Sequence, residues 1–133
     1  MLDYARLQTA ILLRRLAFQL NRSAKSRDPD SIHDLRVAIR RLNRCLRVFS
    51  QFYPGHSWKN CRRQLSDLLQ AAGKVRDRDI AIEMLEKAGV PGRAAIVARL
   101  KAERQKTGRE LLEEIRRWNK RGFSRKWRAA LEL

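Results

Sequence analysis

The sequence predicts an all-α protein, an antiparallel bundle of about five or six helices that forms a single domain over residues 1–133. Apolar residues recur every three or four positions along most of the chain, and no segment alternates as a strand would. Short breaks that contain glycine or proline separate the periodic segments, as in helices joined by tight turns. A chain of 133 residues with 44% hydrophobic content is also long enough to bury one core.

The first two predicted helices are bounded by polar and turn-forming residues. Residues 2–22 form the first helix, whose two apolar stripes imply two packing neighbours. The second of these stripes consists of Tyr4, Leu7, Ile11 and Phe18. A polar linker over residues 23–30 precedes the second helix, which we expect Asp30 or Ser31 to cap. That helix ends before the Tyr-Pro-Gly turn at residues 53–55.

Four further helices are predicted in the rest of the chain. They cover residues 58–72, 80–87, 93–120 and 123–131. Gly73 is expected to end the first of these four helices, and Asp77 or Asp79 to cap the next. Glycines at residues 89, 92 and 122 mark the remaining breaks.

The charge balance indicates an anionic partner. Lysine and arginine outnumber aspartate and glutamate by 31 to 14, which gives a formal net charge of +17. Such a bias points to nucleic acid, another polyanion or an anionic surface. Arginine is much more frequent than lysine, and its planar guanidinium can hold a phosphate by two hydrogen bonds. The composition therefore favours a ligand that carries phosphates.

The second predicted helix carries the clearest functional signal. One face is apolar and suited to a core, and the opposite face is a narrow cationic stripe. The stripe contains His33, Arg36, Arg40, Arg44 and Arg47, with Arg41 at its flank. No carboxylate occurs between Asp34 and Phe49, and like charges on adjacent turns destabilise a helix unless an anion neutralises them. We interpret this face as an anion-binding surface; the alternative is a solvated charged face.

A second cationic segment, Lys74, Arg76 and Arg78, lies beside the predicted helix end at Gly73. Asp77 and Asp79 within it could form a metal-binding or catalytic pair, but caps and internal partners of arginine are favoured. Arg104 falls inside the apolar stripe of the long helix, so it either extends to solvent or reaches the same anion.

Several other classes of function are not expected. Cys45 and Cys61 make no disulfide framework, and their spacing with the two histidines fits no zinc motif. No arrangement of nucleophile, base and oxyanion site is present, so we expect no enzymatic activity, cofactor or metal. No signal peptide or membrane-spanning segment is visible, so we expect a cytoplasmic protein without a membrane partner.

Two segments resemble a known family. Residues 32–44, Ile-His-Asp-Leu-Arg-Val-Ala-Ile-Arg-Arg-Leu-Asn-Arg, closely resemble the signature of the CHAD family, the conserved histidine α-helical domain. Residues 73–80, Gly-Lys-Val-Arg-Asp-Arg-Asp-Ile, are similar to its Gly-x-x-Arg-Asp-x-Asp segment. The spacing of the two segments also fits, and the resemblance covers most of the chain.

The resemblance implies a helical domain that binds inorganic polyphosphate, often at polyphosphate granules or fused to a triphosphatase-type catalytic domain. Carried over by position, the implied binding residues are His33, Arg36, Arg40, Arg41, Arg44, Lys74, Arg76 and Arg78. Arg47 joins them from the helical wheel alone. The predicted localisation is thus the cytoplasm, with polyphosphate granules as a further possibility.

The chain departs from the family pattern in length. The full family domain is roughly double this length and has two similar bundles that face each other across a basic groove. This chain resembles only the N-terminal half, with no second His-x-x-Arg helix. Either it is part of a longer protein, or two copies pair as a homodimer that rebuilds the groove. The alternative function is non-specific nucleic-acid binding. Because the aromatic residues lie on apolar stripes rather than among the arginines, stacking on bases is not favoured, and such binding would use the phosphate backbone.

Overall fold

A computed structural model describes all 133 residues and confirms the all-α prediction. The helices are α1 (Leu2–Lys25), α2 (Pro29–Val48), α3 (Ser57–Ala88), α4 (Arg93–Arg121) and α5 (Phe123–Ala130), with a 3-10 turn at Ser50–Phe52. α2 packs between α1 and α3, whereas α4 packs against α3 and α1, so α2 and α4 lie diagonally across the bundle. None of the helices has an apolar stretch long enough to cross a membrane.

α2 begins two to three residues earlier than expected, and its cap differs from the prediction. The carboxylate of Asp28 accepts a hydrogen bond of 2.7 Å from the backbone amide of Ser31. Pro29 occupies the start of the helix, where its fixed φ and missing N–H are tolerated. Asp30 lies in the first turn, so the prediction of Asp30 or Ser31 as the cap is wrong.

The largest correction concerns α3, which is one helix of 32 residues rather than two short ones. Gly73 lies in its middle, and the prediction that it ends a helix is wrong. A glycine inside a helix costs about 1 kcal/mol relative to alanine. Ala72 and Val75 are fully buried on either side of it, and burial of this continuous apolar stripe outweighs the local cost.

Asp77 and Asp79 are consequently interior helix residues, and their prediction as caps is wrong. Asp79 instead accepts a hydrogen bond from Arg104, with Nε and Oδ1 3.1 Å apart. This confirms the expectation of an internal arginine partner for Asp79. The guanidinium of Arg104 also donates to the backbone carbonyl of Arg27, beyond the end of α1. Arg104 therefore neither extends to solvent nor reaches an external anion, because its side chain links α4 to α3 and to the α1–α2 connection.

The second apolar stripe of α1 is largely exposed, and only Ile11 within it is partly buried. Leu7 and Phe18 are 58% and 65% exposed, and Tyr4 is 54% exposed although its ring contacts Phe49 edge-on. The neighbours of α1 instead pack around its first stripe, which includes the fully buried Leu13, Leu16 and Leu20. The prediction of two packing neighbours for α1 is therefore confirmed, since α2 and α4 both pack against it, but the second stripe is not the surface that they cover.

α5 closes the core where α4 ends. Gly122 adopts a left-handed conformation with φ of 63°, which ends α4 and starts α5 without an intervening loop. This turn brings Phe123 and Trp127 onto Trp118, with ring centroids 5.0 to 5.7 Å apart and edge-to-face geometry. The short helix is thus held by an aromatic cluster rather than by its own length.

Both cysteines are buried as free thiols. Burial raises the pKa of the Cys61 thiol to about 11. Beside Cys45, the hydroxyl groups of Thr9 and Tyr53 form a buried hydrogen bond of 2.6 Å. This bond ties the connection after α2 to α1.

Candidate functional site

The cationic stripe of α2 faces outwards along its length. His33, Arg40, Arg44 and Arg47 are exposed, whereas Arg36 is partly buried. The stripe rises about 1.5 Å per residue, so Arg36 and Arg47 lie roughly 16 Å apart along the helix axis. The apolar face predicted opposite the stripe is fully buried in the core, at Leu35, Ile39, Leu42 and Leu46.

Two separate cavities between α2 and α3 border this stripe, one towards each end, and we call them together the α2–α3 groove. The first, of about 440 Å³, lies at the Arg36 end. It is lined by Arg36, Ser66, Leu69, Gln70, Gly73, Lys74 and Asp77. A Cβ atom added at Gly73 would meet no atom within 4 Å, so the groove is open at this point. Because α3 continues past Gly73, Lys74 and Asp77 form part of its wall.

The second cavity, of about 240 Å³, lies at the other end of the stripe and contains no carboxylate. It is lined by Arg40, Asn43, Arg44, Arg47 and Arg62. The Nε of Arg62 donates a 2.7 Å hydrogen bond to Oδ1 of Asn43, which positions this guanidinium beside the α2 stripe.

Arg62 was missed in the sequence analysis. Residues 62, 66, 69, 73 and 77 recur at helical spacing and place one face of α3 opposite α2. Arg62 lies within the predicted helix over residues 58–72, but which side of that helix faces α2 depends on tertiary packing. The prediction that Gly73 ends the helix separated Asp77 from this face.

Arg36 is a charged group in an unfavourable environment within the groove. Its Nε is buried and has no hydrogen-bond partner within the protein. Desolvation, followed by repulsion from Arg40, lowers the pKa of Arg36, and the attraction of Asp77 offsets this only in part. An anion entering the groove would relieve both effects, because it would supply an acceptor and an opposite charge.

Asp34, the carboxylate at the start of the stripe, already has a cationic partner on another helix. Asp34 forms an ion pair with Arg22 of α1, and its Oδ1 lies 3.2 Å from Nδ1 of His33. The hydrogen bond from Arg22 is the main reason why the pKa of Asp34 is lowered. Asp34 therefore contributes little neutralisation to the arginines that follow it.

The second predicted segment is only partly directed at the groove. Lys74 lines it, and Arg76 is close enough to Arg36 to lower its pKa by repulsion. Arg78 points to α4, where its Nε lies 3.6 Å from Oε2 of Glu103. Arg41 lies on the other side of α2, in a cavity shared with α1. The structure thus brings Lys74 into the wall of the groove, leaves Arg76 outside the groove lining but near Arg36, and places Arg78 and Arg41 elsewhere.

No group of three histidine, cysteine, aspartate or glutamate side chains lies close enough together to hold a metal ion. What the groove presents is a row of guanidinium and amide donors, suited to an extended ligand rich in acceptor oxygens.

Comparison with known proteins defines the class of this helical domain. A family model for the CHAD domain matches residues 9–133, which is nearly the whole chain, and the protein belongs to the CHAD family. CHAD domains in general are polyphosphate-binding domains. No curated protein and no solved structure gave a significant match.

Proposed function

We propose that this protein binds inorganic polyphosphate along the α2–α3 groove. The observation that carries the proposal is Arg36, a partly buried guanidinium with an unpartnered Nε among like charges. A native structure tolerates such a group at a cost in free energy, and a bound anion would remove that cost. Membership of the CHAD family supports phosphate chains as the anion.

The shape of the groove suits a linear polyanion. Arg36, Arg40, Arg44 and Arg47 lie on successive turns of α2, and Arg62 faces them from α3. The regularly spaced negative charges of the ligand would pair with the regularly spaced arginines, and each guanidinium could hold phosphate oxygens by two hydrogen bonds. Counterion release should make the affinity fall steeply as salt increases, by analogy with nucleic acid.

Nucleic acid is the alternative ligand. No aromatic side chain lines either cavity of the groove, so stacking of exposed bases is not supported. Contacts to a phosphate backbone alone remain compatible with the same arginines.

A competition titration separates these ligands. Labelled long-chain polyphosphate is bound at two salt concentrations and then challenged with tRNA and with duplex DNA at equal phosphate. Retention of polyphosphate against both competitors supports the proposal. Ready displacement by either nucleic acid would instead make nucleic-acid binding the leading function.

The site itself is tested with a matched pair of charge reversals. Arg40→Glu places a carboxylate in the middle of the stripe, whereas Lys106→Glu makes a comparable change of charge on the exposed face of α4. We expect Arg40→Glu to weaken binding by at least tenfold and Lys106→Glu to have a much smaller effect. Equal effects from both variants would mean that only net charge matters.

We propose a binding role without catalysis. The groove contains one carboxylate, Asp77, and so lacks the clustered carboxylates that would hold catalytic metal ions. Incubation of long-chain polyphosphate with the protein and Mg²⁺ should leave the chain length unchanged on a gel. Retention at polyphosphate granules in the cytoplasm would follow from the same binding, and a fluorescent fusion of the Arg40→Glu variant should fail to localise there.

We also propose that two copies pair, which would place a second cationic stripe near the first. The exposed apolar side chains of Leu7 and Phe18 offer a contact surface on α1, beside α2. Light scattering should give a dimeric mass at high protein concentration with polyphosphate present, and Leu7→Asp/Phe18→Asp should reduce it. A monomeric mass under these conditions would contradict pairing.

A further inference from the structure

A second cationic run occupies the last part of the chain. Residues 115–131 contain seven lysines and arginines and no carboxylate, which is the same imbalance seen in α2. The cations are Arg116, Arg117, Lys120, Arg121, Arg125, Lys126 and Arg128. Among them only Arg117 has an internal partner, the carboxylate of Glu114. Most of this positive charge is therefore left without neutralisation inside the molecule.

The fold gathers four of these cations around one cavity, which we call the α4–α5 cavity. The left-handed turn at Gly122 brings the end of α4 and the start of α5 together, and α1 forms the opposite wall. The cavity has a volume of about 590 Å³ and includes Lys120, Arg121, Arg125 and Lys126 in its lining. No carboxylate lines it, whereas the side chains of Asn21, Asn119 and Ser124 add neutral donors. Four cationic groups and three neutral donors suit a compact anion with many acceptor oxygens.

This cavity lies away from the α2–α3 groove. It is formed by α1, α4 and α5, and α4 is diagonal to α2 in the bundle. A short anion in one site cannot reach the other, because packed helices are about 8–10 Å apart between axes and the core lies between the two sites.

We infer that the α4–α5 cavity is a second site for phosphate chains, so that one protein molecule can hold two segments and bridge separate chains. The inference rests on the proposed function, since it assigns the same class of ligand to a different place. Its consequence is cross-linking: a molecule with two separated sites joins long polymers into a network, and a molecule with one site only coats them.

Tripolyphosphate, which is too short to bridge the sites, tests the second site by NMR titration. The amide signals of two glycines report separately, Gly73 on the α2–α3 groove and Gly122 on the α4–α5 cavity. We expect both signals to shift and to saturate. Arg125→Gln/Lys126→Gln should weaken the Gly122 response about tenfold or more and spare that of Gly73.

The outcomes separate the inference from the proposed function. A shift at Gly73 without one at Gly122 would overturn the second site and leave the proposed function standing. A shift at Gly122 alone would support the second site and overturn the proposed groove. No shift at either glycine would overturn both.

Bridging is tested with long-chain polyphosphate and light scattering. All variants are made in the Leu7→Asp/Phe18→Asp protein, in which pairing through α1 is disrupted, so that two grooves of a dimer cannot bridge chains. This protein should form large assemblies at an intermediate protein-to-phosphate ratio, and Arg125→Gln/Lys126→Gln should greatly reduce them. Lys106→Gln/Arg109→Gln is the matched control, because it removes two exposed α4 cations that lie outside the cavity. Equal scattering from the two double variants would overturn bridging.

Discussion

Replacement of Arg36 by methionine should raise the free energy of unfolding of the free protein and weaken its binding to polyphosphate. The Nε of Arg36 is buried without a partner, and desolvation together with Arg40 lowers the pKa of this guanidinium. Methionine keeps an unbranched side chain that can pack where the arginine stem packed, and it removes the charge. The substitution therefore separates two effects of the Arg36 charge, the destabilisation of the free protein and the contribution to polyphosphate affinity.

The magnitude follows from the burial of the group. A buried donor without a partner costs about 1–3 kcal/mol, and the lower end applies because Arg36 is only partly buried. We expect Arg36→Met to raise the free energy of unfolding by about 1 kcal/mol, a rise in Tm of roughly 3–5 °C for a domain of this size. Loss of a charge-assisted hydrogen bond worth about 1.5–3 kcal/mol should weaken polyphosphate binding roughly 10–100-fold.

The assay combines urea unfolding without polyanion and a binding titration under the same buffer conditions. Arg40→Met is the control, because Arg40 is exposed and its loss should change the unfolding free energy by less than about 0.5 kcal/mol. Both variants should bind more weakly. The reasoning is refuted if Arg36→Met is less stable than the wild type, or if it binds polyphosphate equally well.

Substitutions at Gly73, Gly122, Arg104 and Asp28 test the fold. Gly73→Ala should raise the free energy of unfolding by about 0.5–1 kcal/mol in urea denaturation, because the residue is inside a helix and a Cβ there meets no atom. Gly122→Ala should lower the free energy of unfolding, because the φ of 63° at this position strains a residue that has a Cβ. Arg104→Gln should lower the free energy of unfolding by about 2–3 kcal/mol, since it leaves the partly buried carboxylate of Asp79 without its cationic partner. Arg104→Met/Asp79→Leu should recover much of this stability, because neither charge remains. A double variant as unstable as the single one would contradict this explanation. Asp28→Ala should lower Tm at pH 7. The hydrogen bond from Ser31 holds the pKa of Asp28 lower in the folded than in the unfolded state, so the contribution of the cap is present above the unfolded pKa of about 3.9 and is lost as the pH falls through the folded pKa. A difference in Tm between Asp28→Ala and wild type that is independent of pH would contradict the cap.

The sequence by itself determined the helical class, the apolar face of α2 and the outward direction of its arginines. These features are local, because the 3.6-residue period alone decides which side chains share a face of a helix. The family assignment was also within reach of the sequence, since the quoted segments match the CHAD family that the family model confirms over residues 9–133.

Tertiary structure decided where these local features meet. Gly73 has the weakest helix propensity of the common residues apart from proline, yet α3 continues through it because both flanking turns are buried in the core. Once α3 is continuous, Arg62, Lys74 and Asp77 face α2 across one groove, a relation that no short sequence window contains.

The partner of each charge was likewise decided by packing. Arg78 and Arg104 look alike in the sequence as candidates for an external anion, but both pair with a carboxylate on a neighbouring helix, Glu103 and Asp79 respectively. Arg36 has no such partner. An ion pair between helices depends on how those helices are placed in space, whereas the helical period reports only the direction of a side chain from its own axis.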